Sequence, residues 1–193
     1  MENVKYILAS RSPRRKELLS KIVDGFEIIT RETDETLPEG VHPKDGVELL
    51  AVRKGKAVAD GLAPDFLIIS SDTLVELDGL ALGKPTSESD AVAMLLSLSG
   101  KTHNVHTGVA IHYKGKVFSG SDTSSVTFKI FGEDEAREYV ATGEPMDKAG
   151  SYAIQGIGAR LVLKYEGDFD TIVGLSLKLT KRLIDEAVAN DEV

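Results

Sequence analysis

Short apolar runs alternate with helical patterns along the chain, and this alternation limits the possible folds more than any other feature of the sequence. The segments typical of strands are residues 4–9, 66–69, 117–119, 126–130 and 161–165, whereas residues 47–59, 87–98 and 175–188 are predicted to be helices. The run at 66–69 is typical of a strand that is covered on both faces. The sequence therefore predicts an α/β protein.

Composition and charge exclude several classes of protein. The chain has 193 residues and no cysteine, so it contains no disulfide and no thiolate metal site. Its formal net charge is −8 at pH 7, and such a chain repels a long polyanion on average. No apolar run approaches the ~20 residues of a membrane span, and the first residues lack a signal-peptide pattern. We therefore expect an intracellular, cytoplasmic protein without a membrane or nucleic-acid partner.

The start of the first predicted helix is unusually basic. Ser12-Pro13 is a typical helix start, and Arg11, Arg14, Arg15 and Lys16 surround it. The helix dipole already makes this end positive, so acidic residues are preferred there. Bound phosphate groups would compensate the excess charge, with arginine forks holding two oxygens each. The alternative is a solvated basic face paired with nearby carboxylates.

A second candidate feature begins at Asp72, which follows the apolar run 66–69. Open α/β sheets bind ligands beyond the carboxyl ends of their strands, where an aspartate can hold a metal or accept a proton. Asp78-Gly79 between apolar residues predicts a two-residue hairpin turn. Counting outward from this turn, Thr73 faces Lys84, so the hairpin is expected to bring a lysine near Asp72. The alternatives are a turn-forming aspartate and a simple surface Lys–Asp pair.

Four segments, taken in order, resemble the Maf family of nucleotide pyrophosphatases. They are LASRSPRRKELL at 8–19, SSDTLV at 70–75, LGKP at 82–85 and DKAGSYAIQGIGA at 147–159. The resemblance implies one domain over residues 1–193, with a fold like that of inosine triphosphate pyrophosphatases: a long mixed central sheet, helices and two lobes around a deep cleft. It also implies a homodimer that uses Mg2+ or Mn2+ to hydrolyse nucleoside triphosphates between the α and β phosphates.

The resemblance also assigns roles to single residues. Asp72 matches the family's catalytic acidic residue, which together with Glu35 is expected to bind the metal. The positions that match residues influencing substrate choice are Arg14, Thr73 and Gln155. The positions that match phosphate-handling residues are Ser10, Arg15, Lys56 and Lys84. Asp34 is the alternative to Glu35, and Lys54 is the alternative to Lys56. The chain departs from the family pattern at Ser70-Ser71, where Gly-Ala is more usual, and at Arg31.

Gln155 directs the expected substrate towards pyrimidine nucleotides. Its amide offers one donor and one acceptor, which complement the O4 acceptor and the N3–H donor of uracil and thymine. In the family, glutamine at this position marks the group that prefers dTTP and UTP, although a flipped amide also fits cytosine. The alternative for Gln155 is a loop hydrogen bond to the backbone. We expect a triphosphate pyrophosphatase that removes unwanted nucleotides. The alternative is a non-catalytic, nucleotide-binding regulator of cell division.

Overall fold

A computed structural model of the chain describes residues 4–189, and its sheet and helices confirm the α/β class. The strands of this part of the chain are β1 Lys5–Leu8, β2 Glu27–Ile28, β3 Phe66–Leu77, β4 Leu80–Leu82, β5 Thr102–Tyr113, β6 Lys116–Phe128 and β7 Val162–Glu166. Its α-helices are α1 Pro13–Leu19, α2 Pro43–Ala59, α3 Glu88–Leu98, α4 Glu133–Val140, α5 Phe169–Val173 and α6 Leu177–Ala189. Its 3₁₀ segments are Glu144–Asp147, Ala149–Ser151 and Ile157–Leu161.

The strands form one mixed sheet, as the resemblance implied. Their order is β2-β1-β3-β5-β6-β7, and β4 pairs with β3. β1 is parallel to both β2 and β3, whereas β4 is antiparallel to β3 and β7 is antiparallel to β6. Ile7 and Leu8 of β1 are fully buried, as parallel strands flanked by helices require.

The described chain divides into two compact units. The first unit comprises residues 4–72, 107–122 and 174–189, and the second comprises residues 73–106 and 123–173. β3, β5 and β6 each contribute residues to both units. The deep cleft between two lobes remains a prediction.

Helix α2 lies close to the strands of the first unit. Its buried Val58 belongs to the same apolar cluster as Ile7 of β1. Gly55 allows the close approach, because a Cβ at this position would lie only 2.6 Å from Oγ of Ser70 in β3. Lys54, the residue before Gly55 in α2, therefore lies close to β3.

Aromatic residues fill the core of the second unit. The rings of Phe128 and Tyr152 meet edge to face with centroids 4.7 Å apart, a favourable aromatic geometry. His103 packs edge to face against Phe128 at 4.9 Å. Helices α3 and α4 pack together and contribute the fully buried Leu95 and Tyr139. The second unit therefore has a hydrophobic core of its own.

The prediction that a strand ends near Asp72 is wrong, whereas the hairpin beyond it is confirmed. β3 continues through Asp72 to Leu77, because its β-branched and apolar residues favour extended backbone and pair with β4. The turn residues Asp78 and Gly79 have φ angles of 52° and 82°, as a type I′ turn requires. Leu77 pairs with Leu80, which is the predicted register.

Three other element predictions differ from the structure. α1 ends at Leu19, although apolar residues of the same stripe continue to Val23; Ser20 caps this end and donates its hydroxyl to the Glu17 carbonyl. The segment predicted as a strand at 117–119 and the first three residues of the one predicted at 126–130 belong to the single strand β6, which ends at Phe128. The middle of β6 is polar and lacks apolar alternation, so its sequence does not indicate a strand. Pairing with the neighbouring strands keeps this part of the backbone extended. The last predicted helix, 175–188, begins two residues later and follows the short α5.

None of the helices within residues 4–189 is long and apolar enough to cross a membrane.

Candidate active site

The central contact of the first unit joins one lysine to two carboxylates. Nζ of Lys54 lies 2.5 Å from Oδ1 of Asp72 and 2.9 Å from Oε1 of Glu35. The side chains of Asp72 and Lys54 are only 9% and 17% exposed, whereas that of Glu35 is 56% exposed. Lys54 therefore neutralises an almost buried carboxylate and links it to one that faces solvent.

The two carboxylates are chemically suited to a hard divalent cation. Both contact the same ammonium group, so their oxygens converge on one small region. Lys54 contacts Oδ1 of Asp72, while no residue in the range 4–189 donates a hydrogen bond to Oδ2. Within this range no group of three or more histidine or acidic residues forms a ready-made metal cage. Mg2+ needs no such cage, since it is commonly held by one or two carboxylates together with substrate phosphates and water. Asp72 and Glu35 therefore fit the metal that the family resemblance implies.

Arg15 is held by one hydrogen bond to a distant part of the chain and one to a nearby serine. Its Nε donates to the Gly174 carbonyl at 2.8 Å, and one terminal nitrogen lies 3.5 Å from Oγ of Ser10. Burial is the main cause that lowers the pKa of Arg15, and the positive charge of Arg14 lowers it further. The negative charges of Asp72 and Glu35 act in the opposite direction and raise this pKa. Arg15 therefore interacts electrostatically with both carboxylates.

The two serines that depart from the family pattern are accommodated by hydrogen bonds. Oγ of Ser71 donates to the Gly174 carbonyl at 3.0 Å, so the same carbonyl accepts from Ser71 and Arg15. Oγ of Ser70 donates to the Ala51 carbonyl at 2.7 Å and so ties β3 to α2. Sequence reasoning missed Gly174, which is 103 residues from Ser71 in the chain and has no motif that would mark it.

Three of the four basic side chains at the start of α1 form no ion pair with carboxylates of the described chain. The first turn of α1 contains no acidic residue, and Ser12 caps the helix by accepting from the Arg15 amide. The side chains of Arg11, Arg14 and Lys16 form no ion pair with any residue between 4 and 189. For these three side chains the alternative of a basic face paired with carboxylates is not supported, whereas Arg15 interacts with Asp72 and Glu35. Because α1 has only seven residues, an anion bound at its start would interact mainly with the arginine side chains rather than with the helix dipole.

The contacts distinguish Lys54 from Lys56 and Glu35 from Asp34. Nζ of Lys56 lies 2.8 Å from the exposed Asp60, whereas Lys54 contacts Asp72. Oδ1 of Asp34 accepts from the Thr36 amide at 2.8 Å, and hydrogen bonds from the side chain and then the amide of Thr36 lower the pKa of Asp34. The contacts therefore bring Lys54 and Glu35 to Asp72, and they give Lys56 and Asp34 other partners.

The remaining three candidate residues belong to the second unit. Thr73 is partly buried in β3, whereas Lys84 and Gln155 are exposed. The ladder between β3 and β4 ends at Val75 and Leu82, so it does not extend to Thr73 and Lys84. Gln155 lies in the loop between Tyr152 and the 3₁₀ segment Ile157–Leu161. All three residues therefore lie in the second unit, whereas Asp72 and Lys54 lie in the first.

Comparisons with known proteins identify close relatives over almost the whole chain. The family model described as Maf-like protein matches residues 5–187. The chain is 45% identical over 180 residues to the dTTP/UTP pyrophosphatase of Bacillus velezensis, a match that covers 93% of this chain and 95% of that protein. It is 46% identical over 182 residues to the dTTP/UTP pyrophosphatase of Bacillus thuringiensis, covering 94% and 93% respectively. Among solved structures, the Ham1 protein of Staphylococcus aureus matches with a TM-score of 0.51 and 15% identity, covering 96% of this chain and 94% of that one. That likeness concerns the fold alone.

Proposed function

The chain belongs to the Maf-like protein family, and from that premise we propose that it hydrolyses dTTP and UTP to the nucleoside monophosphate and pyrophosphate. The supporting observation is the contact of Lys54 with Asp72 and Glu35 in the same unit as the fixed Arg15. These groups provide a proton acceptor, a carboxylate pair for a cation and a positive charge for phosphate. The names of the relatives favour this enzyme over a non-catalytic regulator of cell division.

Asp72 is the proposed proton acceptor. Oδ1 is held by Lys54, which leaves Oδ2 to orient a water molecule and take its proton. The water oxygen forms a bond to the α-phosphorus, and the bond from that phosphorus to the bridging oxygen breaks. Pyrophosphate leaves with the bonding electrons. The nearly complete burial of Asp72 strengthens its electrostatic interactions, because little water screens them.

Arginine and lysine side chains are proposed to hold the triphosphate. Arg15 is held at Nε by the Gly174 carbonyl, which fixes the plane of its guanidinium group. A planar fork that is already oriented loses little entropy when it binds phosphate oxygens. We assign the same role to Arg14 and Lys84, and we assign Ser10 to the support of Arg15. Lys54 replaces Lys56 in our proposal, since it is the lysine that contacts Asp72.

The choice of base is proposed to depend on Gln155 together with Thr73. The exposed Gln155 amide has one donor and one acceptor for the Watson–Crick edge of uracil or thymine. A site that hydrogen-bonds its substrate disfavours a base whose groups do not match.

Asp72 and Glu35 are proposed to hold Mg2+ or Mn2+. A bound cation would neutralise charge on the phosphates. We further propose that the protein is a cytoplasmic homodimer that removes unwanted nucleotides. Sedimentation velocity at micromolar concentration tests the dimer, and a single species with the mass of one chain would contradict it.

A panel of triphosphates tests the proposed activity. Purified protein is incubated with dTTP, UTP, CTP, GTP and ATP in the presence of Mg2+ or Mn2+, and pyrophosphate release is measured with and without a chelator. We expect the highest kcat/KM for dTTP and UTP and no release with the chelator. Faster cleavage of GTP than of UTP would contradict the role of Gln155.

The variant Asp72→Asn tests the proton acceptor. It keeps the size of the side chain but removes its charge, so we expect a loss of at least ~100-fold in kcat. The control Asp134→Asn makes the same chemical change in the exposed first turn of α4 and is expected to keep wild-type turnover. Full turnover by Asp72→Asn would exclude Asp72 as the acceptor.

A further inference from the structure

The loop that carries Gln155 is held by hydrogen bonds on both sides of this residue. Before it, the Ala153 amide donates to Oη of Tyr139 at 3.1 Å. After it, the amides of Ile157 and Gly158 donate to the two carboxylate oxygens of Glu144 at 3.0 Å and 2.8 Å. All of these residues belong to the second unit.

Tyr139 and Glu144 are themselves joined to each other. The Tyr139 hydroxyl donates to Oε2 of Glu144 at 2.6 Å. The ring of Tyr139 is fully buried in α4, while Glu144 begins the 3₁₀ segment that follows the helix. Burial tends to raise the pKa of Glu144, but the bonds from Tyr139, Gly158 and Ile157 outweigh it and hold the pKa below its ordinary value. Glu144 is therefore a carboxylate that accepts two hydrogen bonds from this loop and one from Tyr139.

The loop also lies in direct contact with this pair. A Cβ on Gly156 would be only 2.3 Å from Oε1 of Glu144, and the φ angle of Gly156 is 118°, which residues with a side chain rarely adopt. The backbone next to Gln155 therefore packs against the carboxylate with no room for a side chain between them. Such contacts limit how far the backbone next to Gln155 can shift.

We propose that Glu144, assisted by Tyr139, is a specificity-positioning residue that holds the backbone around Gln155 in place for reading the base of the substrate. The inference rests on the proposed function. It adds that an acidic residue which need not touch the nucleotide determines how well uracil and thymine are distinguished from other bases. A shift of the loop by ~1 Å is enough to misalign two hydrogen bonds to a base.

The variant Glu144→Gln tests this role. Three donors converge on the two oxygens of Glu144, whereas an amide has one oxygen and one NH2 group, so the variant cannot accept from all three. We expect the ratio of kcat/KM for UTP to that for GTP to fall roughly tenfold, mainly through a higher KM for UTP. Inhibition by inorganic tripolyphosphate, which has no base, is expected to stay at the wild-type level.

A matched control and two contrary outcomes complete the test. Glu133→Gln removes an exposed carboxylate of α4 that pairs with Arg137, and it is expected to leave the UTP-to-GTP ratio unchanged. An unchanged ratio in Glu144→Gln would overturn the proposal. An equal weakening of UTP and tripolyphosphate binding would also overturn it, because the residue would then act only on general stability.

Two further measurements keep the inference testable if the first variant is unstable or the wild type is inactive. Tyr139→Phe keeps the buried ring but loses the bonds to Ala153 and Glu144, and it should shift the UTP-to-GTP ratio in the same direction. If the wild type hydrolyses no triphosphate, the proposed function fails, but amide hydrogen exchange still reports on the loop. Faster exchange at Ile157 and Gly158 in Glu144→Gln supports the anchoring, and unchanged exchange overturns it.

Discussion

Replacement of Lys54 by methionine is the sharpest test of the contact on which the site is built. The change keeps a long unbranched side chain but removes the ammonium group that contacts Asp72 and Glu35. Removing one partner of a fully buried ion pair costs about 3–5 kcal/mol, because the other charge is left uncompensated. Here Lys54 is 17% exposed and Glu35 is 56% exposed, so water compensates part of this loss. We therefore expect the free energy of unfolding to fall by about 2 kcal/mol.

The neighbouring lysine provides the matched control. Lys56 lies two residues further along α2, and its pair with Asp60 is exposed, at 65% and 62% for the two side chains. An exposed pair of this spacing contributes only about 0.3–0.5 kcal/mol. For a chain of this size, Lys54→Met should lower Tm by roughly 4–8 °C and Lys56→Met by at most about 2 °C, as measured by scanning calorimetry.

Activity should separate the two variants more strongly than stability does. Two unit charges 4 Å apart interact by about 4 kcal/mol at the effective dielectric of a partly buried site. If roughly half of this value acts on the phosphates, kcat/KM for UTP falls by about 30-fold or more in Lys54→Met. Lys56→Met should keep the wild-type value in the same pyrophosphate-release assay. Equal Tm and equal kcat/KM for the two variants would refute the assignment of Lys54 to the site.

Two other predictions concern Arg15 and His103. Arg15→Lys removes Nε, which donates to the Gly174 carbonyl, so kcat/KM for UTP should fall by about 10- to 100-fold, and an unchanged value in steady-state assays would exclude the fixed guanidinium. Burial lowers the pKa of His103 from 6.5 to about 4. Between these two pH values the unfolded chain therefore binds more protons than the folded chain. The free energy of unfolding falls by about 3 kcal/mol as the pH falls from 6.5 to about 4. Urea unfolding at several pH values should show this loss in the wild type but not in His103→Gln, and equal pH profiles of the two proteins would contradict it.

Much of the local structure could be predicted from the sequence. The turn at Asp78-Gly79 and the start of α1 at Ser12-Pro13 were predicted correctly, because both depend on backbone preferences of a few adjacent residues. The length of β3 could not be predicted in the same way. Its continuation past Asp72 depends on pairing with β4 as well as on the apolar run that precedes it.

The candidate site shows the same division. The chemical character of Asp72 and Arg15 could be inferred from charge and from the family resemblance. The choice between Lys54 and Lys56 could not, because both are lysines of one helix and only the approach of α2 to β3 decides which one reaches the carboxylate. The role of Gly174 could not be predicted either, because it acts through its backbone carbonyl, which every residue type has.

By itself, then, the sequence determined which residue types and which local turns were present, since these follow from side-chain chemistry and from the φ and ψ angles that each residue allows. Only the tertiary structure decided which charges became partners. Residues far apart in the chain meet where helices and strands pack, and a hydrogen bond forms or fails over a few tenths of an ångström. Lys54 and Glu144 are the two clearest cases, because each acts through contacts that no short stretch of sequence specifies.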